Sequence, residues 1–190
     1  EPGTTEALSL EVDLNRDPEA RTLVPGRGTG ETWEKALDGV CRLEVPDERV
    51  RFLYEAAVRA MVLHAPLEIY PGPFYYKRFW FRDAVFILHP MLCVGLHDRA
   101  ERVIDGFPSR QTVGGYFRSQ EGEWDSNGQV LWIMKRYADL SGRSCKEDWM
   151  QALVKAGDWI RHKRLKENTG EVHAGLLPPG FSCEHLGNND

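Results

Sequence analysis

The sequence predicts a mainly α chain built of helical hairpins. Three observations carry this. From Thr32 onward, apolar residues recur at helical spacing in one segment after another. Short and long connections alternate between those segments. No strand–helix–strand alternation appears, which argues against a doubly wound sheet.

The start of the chain stands apart. Residues 7–14 (ALSLEVDL) alternate apolar and polar side chains, the period of a strand. Asn15-Arg16-Asp17-Pro18 is turn chemistry, and residues 25–30 (PGRGTG) form a connector. One strand makes no sheet, so residues 1–45 are expected to be a strand and linker at the edge of a missing β domain. Residues 46–190 are expected to form the helical-hairpin domain.

Within that domain, residues 48–63 put Phe52, Leu53, Ala56, Ala57, Ala60 and Met61 on one face, predicted to point inward. Asp47 is the expected N-cap and Pro66 the stop. Residues 83–96 are apolar almost all round, which predicts a helix surrounded by protein, kinked at Pro90. Residues 97–107 read as a short amphipathic helix with Ala100, Val103 and Ile104 inward. After a polar loop over 109–122, residues 127–140 repeat the helical pattern and Gly142 closes it. Residues 146–165 form a last helix with Trp149, Leu153, Val154 and Ile160 inward. Its basic end, 161–166, complements the helix dipole and needs no anion to explain it. The long loops fall at alternate junctions, so they should gather at one end of the hairpins and build a site there.

Composition narrows the function. The 24 basic and 29 acidic residues leave a net charge of −5, with no basic face for nucleic acid. Hydrophobic residues at 42% suffice for a core. No apolar run has the ~18 residues a membrane helix needs. Cys41, Cys93, Cys145 and Cys183 follow no metal spacing and read as incidental thiols, which points weakly to a reducing, cytoplasmic location. The six histidines show no ligand spacing, the glycine run at 26–30 lacks a following lysine, and there is no GxSxG elbow. Neither a metal nor a cofactor is expected.

Three loop-to-helix junctions combine aromatics with fixed charges. The first is Phe79-Trp80-Phe81-Arg82-Asp83. Asp83 could serve as an N-cap with Arg82 as a surface charge, or the pair could clamp a sugar. Sugar sites need carboxylate and guanidinium forks for vicinal hydroxyls. They also need a flat ring such as Trp80. The second is Glu123-Trp124-Asp125-Ser126-Asn127-Gly128-Gln129, with the same layout and the same rival, Asp125 as a plain N-cap. The third is the Gly/Pro-rich stretch 175–190, which carries Glu184 and His185. Adjacent side chains on an extended loop point apart, so these two are not read as a catalytic pair.

Taken in order, these motifs resemble the six-hairpin, (α/α)6-toroid glycosidases of the glucoamylase-like and glycogen-debranching-like group. Trp80-Phe81-Arg82-Asp83 is similar to the family's Trp-x-Arg-Asp before an inner helix. Trp124-Asp125-Ser126-Asn127-Gly128-Gln129 looks like its second motif, and residues 175–190 like the loop preceding its general acid. The resemblance spans residues 46–190 and implies part of a toroid, about its first half. It implies inverting hydrolysis of α-glucosidic oligosaccharides by two carboxylates. It casts Trp80, Arg82, Asp83, Trp124, Asp125 and Gln129 as sugar ligands, and Glu184 as the nearest catalytic carboxylate. The general base would lie further along a complete toroid, so the chain by itself is expected to be inactive. An exposed half-toroid edge implies self-association. The alternatives are a disaccharide phosphorylase of the same fold and a non-enzymatic helical scaffold. A terpenoid-cyclase-like toroid is disfavoured by the lack of an aspartate-rich motif.

Overall fold

The computed structural model describes residues 32–72, 76–167, 170 and 172–180. The predicted strand at 7–14 and the loop from 181 to 190, with Glu184, lie outside them. The described residues form six helices: α1 (Trp33–Ala36), α2 (Glu48–His64), α3 (Phe81–Cys93), α4 (His97–Asp105), α5 (Ser126–Ser141) and α6 (Glu147–Lys163). A single 3-10 turn spans Pro108–Arg110. Among the described residues, extended pairing is limited to one antiparallel bridge between Gln111 and Phe117.

Local chemistry sets the helix ends. Asp47 caps α2 as expected, its Oδ1 accepting from Arg49 N at 2.8 Å and Val50 N at 3.2 Å. Gly142 ends α5 in the left-handed conformation at φ 68°, and its N–H bonds Ala138 O. Helix α3 starts two residues before the expected Asp83 and runs through Pro90 to Cys93. Proline lacks an N–H but sits in the last turn, where the helix is about to end.

Contacts between elements set their directions. Arg82 in the first turn of α3 meets Asp125 at the head of α5, and Phe86 and His89 further along meet Trp132. Helices α3 and α5 therefore run side by side in the same direction. Helix α4 runs against α5: Tyr137 bonds Glu101, and Arg143, just past the end of α5, pairs with Asp98 near the start of α4. Helix α6 also opposes α5. Its start packs Trp149 edge-on against Tyr137, and its later turns reach Asn127 and Trp124.

The core lies between these helices. Phe81, Phe107 and Phe117 pack edge-to-face at 5.1–5.2 Å, with Phe79 at the rim. Ala84, Val85, Leu88 and Met91 of α3 meet Val130, Ile133 and Met134 of α5 in the same cluster. Each such large side chain stabilises by ~1.5–3 kcal/mol on burial.

Three packing expectations need correction. The apolar face predicted on α2 turns outward except at Met61, which packs on the core: Phe52 is 68% and Leu53 55% exposed, and Ala56, Ala57 and Ala60 are exposed as well. The helix docks instead by Tyr54, Val58, Met61 and Val62, a neighbouring stripe. Both stripes are apolar, so periodicity could not choose between them. Helix α3 is not enclosed on all sides, since Phe86 is 62% exposed beside α5. On α6, Ala152 and Ala156 are buried while Val154 is exposed, because the small residues let the helix approach α5 closely.

Candidate functional site

The loops before α3 and α5 meet, as the alternation of loop lengths predicted. Ser119 is the clasp. Its Oγ accepts the Phe81 N–H at 2.7 Å, and its carbonyl accepts from the Arg78 guanidinium. The third loop joins them: Trp124 Nε1 donates to Pro179 O at 3.0 Å. Gly180 passes so close that an added Cβ would stand 2.6 Å from Gly122 O. The stretch 109–122, expected as a polar loop, thus carries buried Tyr116, Phe117 and Ser119.

At this end two distant motifs fuse. Arg82 donates from Nε to Asp125 Oδ2 at 3.0 Å, and its Nη2 stands 3.0 Å from the same oxygen as an ion pair. Gln129, one turn into α5, donates to the same oxygen at 2.7 Å. Asp125 holds the N-cap position of α5, yet its side chain makes no capping bond. The capping reading is therefore half right: the position is that of a cap, and the carboxylate serves the guanidinium. All three nitrogens fall on Oδ2, so Oδ1 takes no part in these bonds. The pair stays accessible, with side chains 24% (Arg82) and 42% (Asp125) exposed.

The remaining expected residues divide. Asp83 is half-buried in the first turn of α3, where a carboxylate complements the helix N-terminus, and the cap itself is Trp80. Trp80 is half-buried with Arg78 over its ring at 4.7 Å and Tyr76 at its edge. Its Nε1 is buried without a hydrogen-bond partner. Trp124 turns away from Asp125. It lies under the Lys163 ammonium at 3.8 Å and against Tyr116 and Trp159, which stack at 4.6 Å. A ring whose face carries its own cation is not an open platform. Burial there pushes the Tyr116 hydroxyl well above the usual phenol range, and it donates to Gln120 O and Glu123 O.

The basic end of α6 is engaged within the chain, consistent with the plain reading. Arg161 pairs with Asp158, Lys163 covers Trp124, and Arg164 binds Glu167 and Gly175 O.

Sequence reasoning missed Arg78 and Ser119, which hold the junctions, and Phe86, His89 and Trp132, which lie along the same seam. Helical projection reaches three of them: Phe86 is four residues past Arg82, and Trp132 and His89 follow on the facing turns. Nothing in the local sequence marks Ser119.

Among the described residues, no group of three or more His, Cys, Asp or Glu side chains could hold a metal ion. No helix among them is long and apolar enough to cross a membrane. No protein-family model, curated protein or solved structure matches the chain.

Proposed function

We infer that the joined ends of α3 and α5 are the sugar-binding part of a glycoside hydrolase. The observation that carries this is the Arg82–Asp125–Gln129 fork. Two motifs 43 residues apart meet as a guanidinium and a carboxylate on an accessible surface. Such a fork suits vicinal hydroxyls, which both donate and accept. Asp125 Oδ1 would accept from one of the hydroxyls, with Arg82 and Gln129 holding the carboxylate in place. A scaffold module gives no reason for these side chains to converge. The resemblance to six-hairpin toroid glycosidases, and the parallel pair α3 and α5 flanked by opposed α4 and α6, favour the same reading.

The proposed reaction is inverting hydrolysis of an α-glucosidic oligosaccharide. One carboxylic acid protonates the leaving oxygen, and a second carboxylate activates water across the ring, ~6.5–9.5 Å away. Within that reading the fork orients the ring being cleaved, and Glu184 of the third loop is the candidate catalytic or substrate-orienting carboxylate. Phosphate in place of the activated water would make a phosphorylase. In a longer chain, strict dependence of turnover on phosphate would identify it. Self-association through the exposed α2 face belongs to the same proposal.

The test is a tryptophan-fluorescence titration of the chain with gluco-oligosaccharides and a cationic aza-sugar, repeated on Asp125→Asn. Saturable quenching that the variant loses is expected. A folded chain that gives no saturable change with any of these ligands would overturn the proposal.

A further inference from the structure

The seam between α3 and α5 continues past the fork. One turn beyond Arg82 stands Phe86, and three residues beyond Gln129 stands Trp132. Their ring centroids are 6.4 Å apart, and His89 adds a third ring at 4.9 Å from Trp132. Phe86 is 62% and Trp132 39% exposed. These rings differ from Trp80 and Trp124 in one respect that matters. Trp80 and Trp124 each carry a cation of the chain over the ring, Arg78 and Lys163. Among the described residues, no cation lies over Phe86 or Trp132.

The polar groups of this seam are not finished either. His89 Nδ1 is buried with no hydrogen-bond partner, and its Nε2 makes just a long 3.9 Å contact with Cys93 Sγ. A buried polar atom in that state is left without the water it bonded before folding. The surface therefore offers a charged fork, then, one turn lower (~5.4 Å along the helix), open aromatic rings with a histidine at their edge. That order matches a ligand with a hydroxyl rim and an apolar C–H face. An apolar helix docked here would cover the rings but leave Arg82 and Asp125 desolvated without gain.

We propose that Phe86, Trp132 and His89 form a second sugar platform, on which the glycosyl unit next to the one in the fork stacks. This rests on the sugar reading of the fork and extends it from one ring to a chain of rings. The platform adds the place where the second ring of that oligosaccharide is held, along the seam one turn from its head.

Titration calorimetry with glucose, maltotriose and isomaltotriose tests this on the 190-residue chain, on Trp132→Ala, Trp132→Phe and Phe86→Ser, and on Asp125→Asn as reference. Circular dichroism and the Tm establish that each variant is folded. We expect Trp132→Ala to weaken trisaccharide binding at least tenfold and glucose binding less than twofold, with Trp132→Phe retaining most of the trisaccharide affinity. Phe86→Ser should weaken the trisaccharide in the same direction. Trisaccharide affinity unchanged in Trp132→Ala and Phe86→Ser but lost in Asp125→Asn would overturn the platform and leave the fork standing. No sugar binding by the unaltered chain would overturn both. If the two variants alter sedimentation of the chain and not its sugar affinity, the rings are a contact between copies, and the platform is again overturned.

Discussion

Arg82 and Asp125 meet at 3.0 Å across 43 residues of sequence, and the carboxylate at the head of α5 binds a guanidinium of α3 in place of its own helix. This separates two roles that one residue could play. Asp125→Ser supplies a good N-cap but no charge. It should still destabilise by about 1–2 kcal/mol, because Arg82 and the Gln129 amide lose their acceptor. The urea midpoint measures it. Stability equal to that of the unaltered chain would mean that the carboxylate is an ordinary cap.

Asn127 is the polar group on which the site's geometry depends. It is fully buried, accepts the Phe117 N–H at 2.8 Å, and donates to Gly115 O at 2.9 Å and Ala156 O at 3.2 Å. It thus ties the loop before α5 to α6. Asn127→Ala strands the Phe117 N–H in the core and cuts the tie to Gly115 O and Ala156 O, so a loss of about 2 kcal/mol is expected. A shift in the urea midpoint equivalent to less than 1 kcal/mol would show that the loop closes without it.

The loop also makes a close approach that only glycine permits. Gly115 has φ +91°, and a Cβ there would lie 2.4 Å from Lys155 O, a backbone atom that cannot swing away. Gly115→Ala should therefore cost about 2–4 kcal/mol, more than the usual penalty for a left-handed residue. Thermal unfolding would register it. Gly114→Ala is the control, since nothing lies within 4 Å of its added Cβ.

Which parts of this were readable in the sequence follows from what each signal encodes. The helices from α2 to α6 were readable because spacing and caps are local, as at Asp47 and Gly142. The Arg82 and Asp125 motifs were readable as charged junctions, though their pairing is a long-range fact that no local pattern states. Trp124 stands next to Asp125 in sequence, but its packing on Lys163, Tyr116 and Trp159 is a long-range fact that adjacency does not state. On α2 two apolar stripes compete, and the choice depends on neighbours. Phe52→Ser should accordingly leave stability within about 0.5 kcal/mol, or improve solubility, whereas Val58→Ala should cost about 1–2 kcal/mol. A large loss from Phe52→Ser in dilute solution would mean that the outer face is covered after all.

At the end of the bundle remote from the fork, charge replaces aromatic packing, and the consequence is a pH dependence with a defined sign. Glu101 accepts from Tyr137 Oη at 2.6 Å, Arg143 at 2.6 Å and Lys146 at 2.9 Å. These donors, Tyr137 first, hold its carboxyl at about 2, below the ordinary 4.5. The group is depressed in the folded state, so its stabilisation is complete above pH 4.5 and is lost as the pH falls from there toward 2. Its side chain keeps 23% exposure, and solvent screening reduces the net effect to about 1–2 kcal/mol. Glu101→Gln keeps the shape and removes the titration. The variant should be less stable than the parent by that amount at pH 7, and the two should converge as the pH approaches 2. Urea unfolding of both proteins across that range isolates the difference, since every other carboxylate titrates alike in each. A gap that stays constant with pH would mean that Glu101 contributes by packing and neutral hydrogen bonds rather than by charge.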